Sequence, residues 1–217
     1  MSVCGISTKG NQEQAELIRL ICDRQHPIIF CTGKAGTGKN FATLAAALQL
    51  VMDKKYGKIM YARNPVQCGE NIGFLPGTAA EKLDPFMMSL KDNLIAIEQC
   101  GKTIKAADAL QKIEILPIFS IRGRSIDNTV LIVDEAQNLD LTTLRTILTR
   151  MGKYAKIIML GSFNQIDDVK QRKQEKCDFQ KTIEKLTEFN FVAHIELYQS
   201  MRSEYCALID EAFEGIK

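Results

Sequence analysis

The chain has 217 residues, 46% of them hydrophobic and 25% charged, with a formal net charge of +2. That balance suits one globular domain large enough to bury a core, and the charge is too small to argue for nucleic acid by itself. No apolar run approaches the ~20 residues of a membrane-spanning helix, and the first residues lack the basic-then-apolar pattern of a secretory signal. Seven scattered cysteines, an odd number with no C-x-x-C pair, speak against a zinc site or a disulfide framework. Reduced thiols, a cytoplasmic location and no membrane partner are the expectation.

Residues 1–10 carry no clear pattern and are expected to be flexible. From 11 to 24 a helix is predicted, with Ala15, Leu17, Ile18 and Ile21 forming an apolar stripe. Gln14, near its start, offers a side-chain amide that suits an adenine edge, although the polar run Asn11–Gln14 equally suits a helix cap. Next comes an apolar run, Pro27–Cys31, then Gly33-Lys34-Ala35-Gly36-Thr37-Gly38-Lys39-Asn40, then an Ala/Leu-rich helical run from Phe41 to Val51. Strand, glycine-rich turn and helix together are the setting a P-loop requires. Its glycines let successive N–H groups face a phosphate, while the helix N-terminus and Lys39 supply positive charge. The last position normally holds Ser or Thr, whose hydroxyl binds Mg²⁺; here it is Asn40.

A strand over 58–62 ends at Arg63 and leads into a long glycine- and proline-marked segment, 64–77. Helical patterns occupy 78–99 and 103–111, and a short strand is predicted at 113–116. Arg122-Gly123-Arg124 suits either phosphate contact or an exposed turn. The apolar run Thr129–Val133 reads as a buried parallel strand with Asp134 and Glu135 at its carboxyl end, where open α/β sheets bind ligands. Asp134 is placed to hold Mg²⁺ as a Walker B aspartate does, and Glu135 to orient and deprotonate water. A helix from Asp140 to Arg150 precedes a strand over 156–160. Gln165, in the polar stretch after that strand, suits sensing a γ-phosphate or holding the attacking water. The basic run Lys170–Lys176 reads as a solvated face or a nucleic-acid contact. A last strand over 191–197 precedes Arg202, an arginine that could meet a phosphate in its own subunit or a neighbour's, and a closing helix to about 215. With no repeat and no linker, residues 1–217 read as one domain.

In order, the chain carries G-x-A-G-T-G-K from Gly33, G-E-x-x-G-F-L-P-G from Gly69, R-G-R-S from Arg122, D-E-A-Q-N from Asp134, L-T-R-x-G from Leu148 and Q-I-D from Gln165. This series resembles the PhoH-like P-loop ATPases, whose core is related to the RecA-type domains of superfamily-1 helicases, and the resemblance runs from about Lys9 to Phe213. It implies an α/β fold: a single RecA-like P-loop NTPase domain with a mainly parallel central sheet flanked by helices. It also implies ATP hydrolysis with Mg²⁺, helicase-like and coupled to RNA or single-stranded nucleic acid, in a homo-oligomer such as a hexameric ring.

Carried over by resemblance, Gln14 contacts adenine and Gly33, Lys34, Ala35, Gly36, Thr37, Gly38 and Lys39 cradle the phosphates. Asn40 and Asp134 hold the metal, Lys39, Glu135, Gln165 and Arg202 serve catalysis, and Gln137 and Gln165 link nucleotide to nucleic acid. Arg124 and Arg150 join Arg202 as phosphate-contacting candidates, one of them acting across a subunit boundary. The sequence departs from the family at Asn40, at Ser162 and Gln67, where the family usually has acidic residues, and at Asn64-Pro65. Asn40 and Ser162 both fall on the metal side. The competing expectation is therefore a nucleotide-gated nucleic-acid-binding module with weak or no hydrolysis.

Overall fold

The computed structural model describes residues 2–8, 10–63 and 84–201, together with residues 205, 208, 209 and 212. In chain order, β1 (Ser2–Val3) and β2 (Ile6–Ser7) are followed by α1 (Gln12–Cys22), β3 (Ile28–Gly33), α2 (Lys39–Met52) and β4 (Lys58–Arg63). Then come α3 (Asp84–Gly101), α4 (Ala106–Leu110), β5 (Ile113–Pro117), a 3₁₀ turn at Ile118–Ile121, β6 (Thr129–Asp134) and a second 3₁₀ turn at Ala136–Asn138. The remaining elements are α5 (Leu141–Leu148), β7 (Lys156–Gly161), α6 (Val169–Arg172), α7 (Asp178–Leu186) and β8 (Val192–Leu197).

Six strands pair in the order β5-β4-β6-β7-β3-β8, and every pairing is parallel. This is the α/β architecture implied by the resemblance. Every residue of β3, β6 and β7 is buried, as their unbroken apolar runs require of strands covered on both faces. Side chains alternate between two cores. Ile29, Cys31, Val130, Ile132, Ile158 and Leu160 pack with α1, α2, α3 and α4, whereas Ile28, Phe30, Leu131, Val133, Ile157 and Met159 pack with α5 and α7. Because all strands run one way, Gly33, Arg63, Asp134 and Gly161 end at the same edge. Register places Arg63 beside Asp134 and Thr32 beside Gly161.

Three features differ from the sequence expectation or were absent from it. The first residues, expected to be flexible, form an antiparallel hairpin with Val3 and Cys4 buried. Cys4 N–H donates to Gln49 Oε1 at 2.8 Å and its thiol to Ala45 O at 3.3 Å, tying the hairpin to α2. Gly101 admits it, since a Cβ there would lie 1.8 Å from Cys4 O. Too few residues are involved for any periodicity to announce this packing. The second feature is α7, hidden in a charged stretch where only Phe179, Thr182 and Ile183 are buried. The third is Lys156, which is 1% exposed at the amino edge of β7. Its ammonium donates to Leu20 O at 3.3 Å, Asp23 O at 2.7 Å and His26 O at 2.9 Å, closing the carboxyl end of α1. Burial pushes this lysine down to about 8.

Candidate active site

Between β3 and α2 the loop is held by its carbonyls. Lys39 Nζ donates to Gly33 O at 2.7 Å and Lys34 O at 2.8 Å, and Thr37 Oγ1 to Lys34 O at 3.0 Å. Met201 N–H donates to Gly36 O at 2.8 Å and Gln14 Nε2 to Thr37 O at 3.0 Å. Among the described residues, the N–H groups of Ala35, Gly36, Thr37 and Gly38 meet no acceptor. Carbonyls tied off and amides open is the arrangement of an anion-binding nest. Gly38 has to be glycine: its φ is +79°, and a Cβ would come within 2.3 Å of Gln14 Nε2.

Gln14 is buried, and its amide braces the loop; Asn11 caps α1 by accepting Gln14 N–H at 2.9 Å and also donates to Met201 Sδ at 3.2 Å. Both sequence readings of this stretch therefore meet in one place, a polar helix cap packed against the phosphate loop.

Across the carboxyl edge, Asp134 is 3% exposed. It accepts from Tyr61 Oη at 2.6 Å, from Glu135 N–H at 3.0 Å, and from Asn40 Nδ2 at 3.3 and 3.4 Å. Arg63 reaches Asp134 at 3.6 Å and Glu135 at 3.2 Å. The Tyr61 hydroxyl is pushed well above the ordinary tyrosine range by burial and then by the Asp134 carboxylate, so it stays a donor. Glu135 sits in the left-handed region, φ 55° and ψ 41°, where the chain leaves β6 for the 3₁₀ turn. Gln137, fully buried, donates to Glu135 Oε2 at 2.7 Å and Gln165 O at 2.8 Å, and accepts Ser162 N–H at 3.1 Å. Glu135, Gln165, Asp167 and Arg172 line an adjoining cavity of about 590 Å³.

The donor set suits Mg²⁺. A Ser or Thr hydroxyl at the end of a P-loop gives its proton to the aspartate and a lone pair to the metal. Asn40 divides those two tasks between two atoms: Nδ2 donates to Asp134, while Oδ1 is buried without a partner. Ser162 Oγ is also buried and unpartnered. Among the described residues no three His, Cys, Asp or Glu side chains gather into a cage. Mg²⁺ needs none, because it commonly takes one or two protein oxygens plus phosphates and water.

Not every predicted residue arrives here. Gln14, the Gly33–Asn40 loop, Asp134, Glu135, Gln137 and Gln165 share the carboxyl edge. Arg124 and Arg150 do not. Arg124 pairs with Glu114, which also binds Lys58 at 2.5 Å at the start of β4. Arg150 O accepts Ile126 N–H at 3.0 Å, just before β6 begins. Both arginines thus stand at the amino edge, roughly 16 Å along the strands from the loop. Within one chain they do not meet its phosphates. The R-G-R and L-T-R patterns carry no information about which edge they occupy. Arg202, Gln67, Asn64-Pro65 and the Gly69–Gly77 loop lie outside the described residues. Conversely, sequence reasoning passed over Tyr61, Arg63 and Met201. Arg63 had a signal, a charged residue ending a strand of the sheet; Tyr61 reads as core until strand register brings its hydroxyl to Asp134.

Comparison with known proteins follows the same outline. The family model described as PhoH-like protein matches residues 6–214. Protein PhoH2 of Mycolicibacterium smegmatis is 32% identical over 208 residues, covering 94% of this chain and 46% of that protein. A PhoH-like protein of Bacillus subtilis is 32% identical over 211 residues, covering 96% of this chain and 63% of that one. Among solved structures, the Pif1 helicase from Candida albicans covers 92% of this chain and 42% of its own, at 20% identity and a TM-score of 0.48. The chain spans about half the length of the curated relatives it matches. With its P-loop, its Asp134–Glu135 pair and a family match over nearly all its length, this chain belongs to the PhoH family.

Proposed function

We propose that this chain is a Mg²⁺-dependent ATPase stimulated by RNA or other single-stranded nucleic acid. The observation that carries the reading is the pairing of an open phosphate nest, whose carbonyls are all engaged elsewhere, with the Asp134–Glu135 carboxylates on the same sheet edge. In it the amides of 35–38 bind the phosphates and Lys39 leaves the Gly33 and Lys34 carbonyls for them. Asn40 Oδ1 and Asp134 hold Mg²⁺, which when bound neutralises phosphate charge. Glu135 takes the proton of the attacking water, and Gln137 keeps Glu135 and the Gln165 loop in one frame. Arg63 holds both carboxylates ionised and in place.

Arg124 and Arg150 would reach a phosphate only from a neighbouring copy, as in a homo-oligomeric ring. Asn40 retains the donor link to Asp134, which favours turnover over a binding-only role. Steady-state phosphate release, with and without single-stranded RNA, tests the reading. Hydrolysis that RNA raises several-fold supports it. Tight ATP binding with no release, in wild type and in Asn40→Thr alike, would instead make the chain a nucleotide-gated binding module.

A further inference from the structure

A second groove, of about 380 Å³, opens on the carboxyl side between the 3₁₀ turn at Ile118–Ile121 and the starts of α5 and α6. Its floor is apolar, and on its rim the Phe119 ring is 66% exposed. Arg122 and Lys170 also line it, and neither forms an ion pair with a described residue. The two carboxylates present are committed as helix caps. Asp140 accepts Thr143 N–H at 2.7 Å, and Asp168 accepts Lys170 and Gln171 N–H at 2.9 Å each. At the back stands Asn138, 4% exposed. Its Oδ1 accepts Asp167 N–H at 2.8 Å and Asp168 N–H at 3.2 Å, but its Nδ2 is buried with no partner. A buried donor left unpaired is costly, and an acceptor oxygen entering the groove would satisfy it.

We propose that this groove is a one-nucleotide subsite for single-stranded nucleic acid, and that Asn138 links its occupancy to the hydrolytic site; the inference rests on the ATPase reading above. An exposed ring offers the face on which any base stacks, two unpaired cations suit its phosphate, and a lone donor suits a phosphate or base oxygen. Nothing in the groove reads a base edge in a fixed pattern, so sequence preference is weak. The link is short. Asn138 ends the 3₁₀ turn that begins directly after Glu135, and its neighbour Gln137 holds Glu135 and the Gln165 carbonyl. Asn138 Oδ1 also holds the amides of Asp167 and Asp168, which continue the Gln165 loop. A ligand drawing on Nδ2 therefore acts on the base and on the water-holding loop together.

The test is fluorescence anisotropy with short oligouridylate and oligothymidylate in parallel, on the whole chain. Phe119→Ala weakens both about tenfold, from the loss of one stacked base, with the melting temperature kept. Arg122→Ala lowers the slope of log affinity against log salt by about 0.7. Asn138→Asp keeps the oxygen that holds Asp167 and Asp168, removes the donor, and loses stimulation of hydrolysis by RNA. Wild-type affinity and salt slope in both Phe119→Ala and Arg122→Ala overturn the subsite while leaving the ATPase reading intact. A wild-type chain that binds neither oligonucleotide overturns the nucleic-acid part of that reading as well.

Discussion

At the amino edge of the sheet, Lys156 buries a cation and gives it three carbonyl partners from the end of α1. At the carboxyl edge the polar residues are equally buried but incompletely satisfied: Asn40 Oδ1, Asn138 Nδ2 and Ser162 Oγ have no partner. The same sheet supports both, so the difference lies in purpose rather than burial. A satisfied buried charge closes a helix and serves the fold. Unsatisfied atoms cost stability, of the order of 1–3 kcal/mol each, and they collect where a ligand can complete them.

Glu135→Gln gives the largest expected effect, a fall in kcat of about a thousandfold with nucleotide affinity kept, read as phosphate release beside equilibrium binding. An unchanged kcat would separate the carboxyl edge from catalysis. Lys156→Met comes next. It strands three carbonyls and lowers stability by ~3 kcal/mol in urea titration, while activity per folded molecule holds. If stability held and activity fell, the two edges would not differ as described. Arg63→Ala is smaller, about a tenfold loss of kcat that Arg63→Lys partly restores, because one cation serves both carboxylates.

The smallest effect lies between the edges. Burial pushes the Cys31 thiol up to about 12 and Cys4 up to about 11. The unfolded chain loses these protons first, so stability falls as pH rises from about 9 towards those values. Cys31→Ala shows a shallower fall between pH 8 and 10 in urea titration than wild type.

Much of this was legible in the sequence where local chemistry dictates local structure. Apolar runs became β3, β6 and β7, and the glycines of 33–38 became the nest, because strand burial and positive φ leave direct marks on composition. What depends on strand register was not legible. Tyr61 and Arg63 meet Asp134 only because β4 pairs with β6 with Arg63 opposite Asp134. Arg124 and Arg150 look like phosphate ligands in a motif, yet chain direction carries them to the far edge. Asn138 was visible only as a letter in D-E-A-Q-N; its missing partner is a property of packing.

The central claim is that Asn40 and Asp134 jointly form a metal site completed by nucleotide. Electron paramagnetic resonance of Mn²⁺, with a non-hydrolysable ATP analogue present, tests it most directly. The account predicts one tightly held ion in the wild type, retained in Asn40→Thr and weakened at least tenfold in Asp134→Ala and Asn40→Leu. Equal Mn²⁺ binding in all four proteins would contradict it.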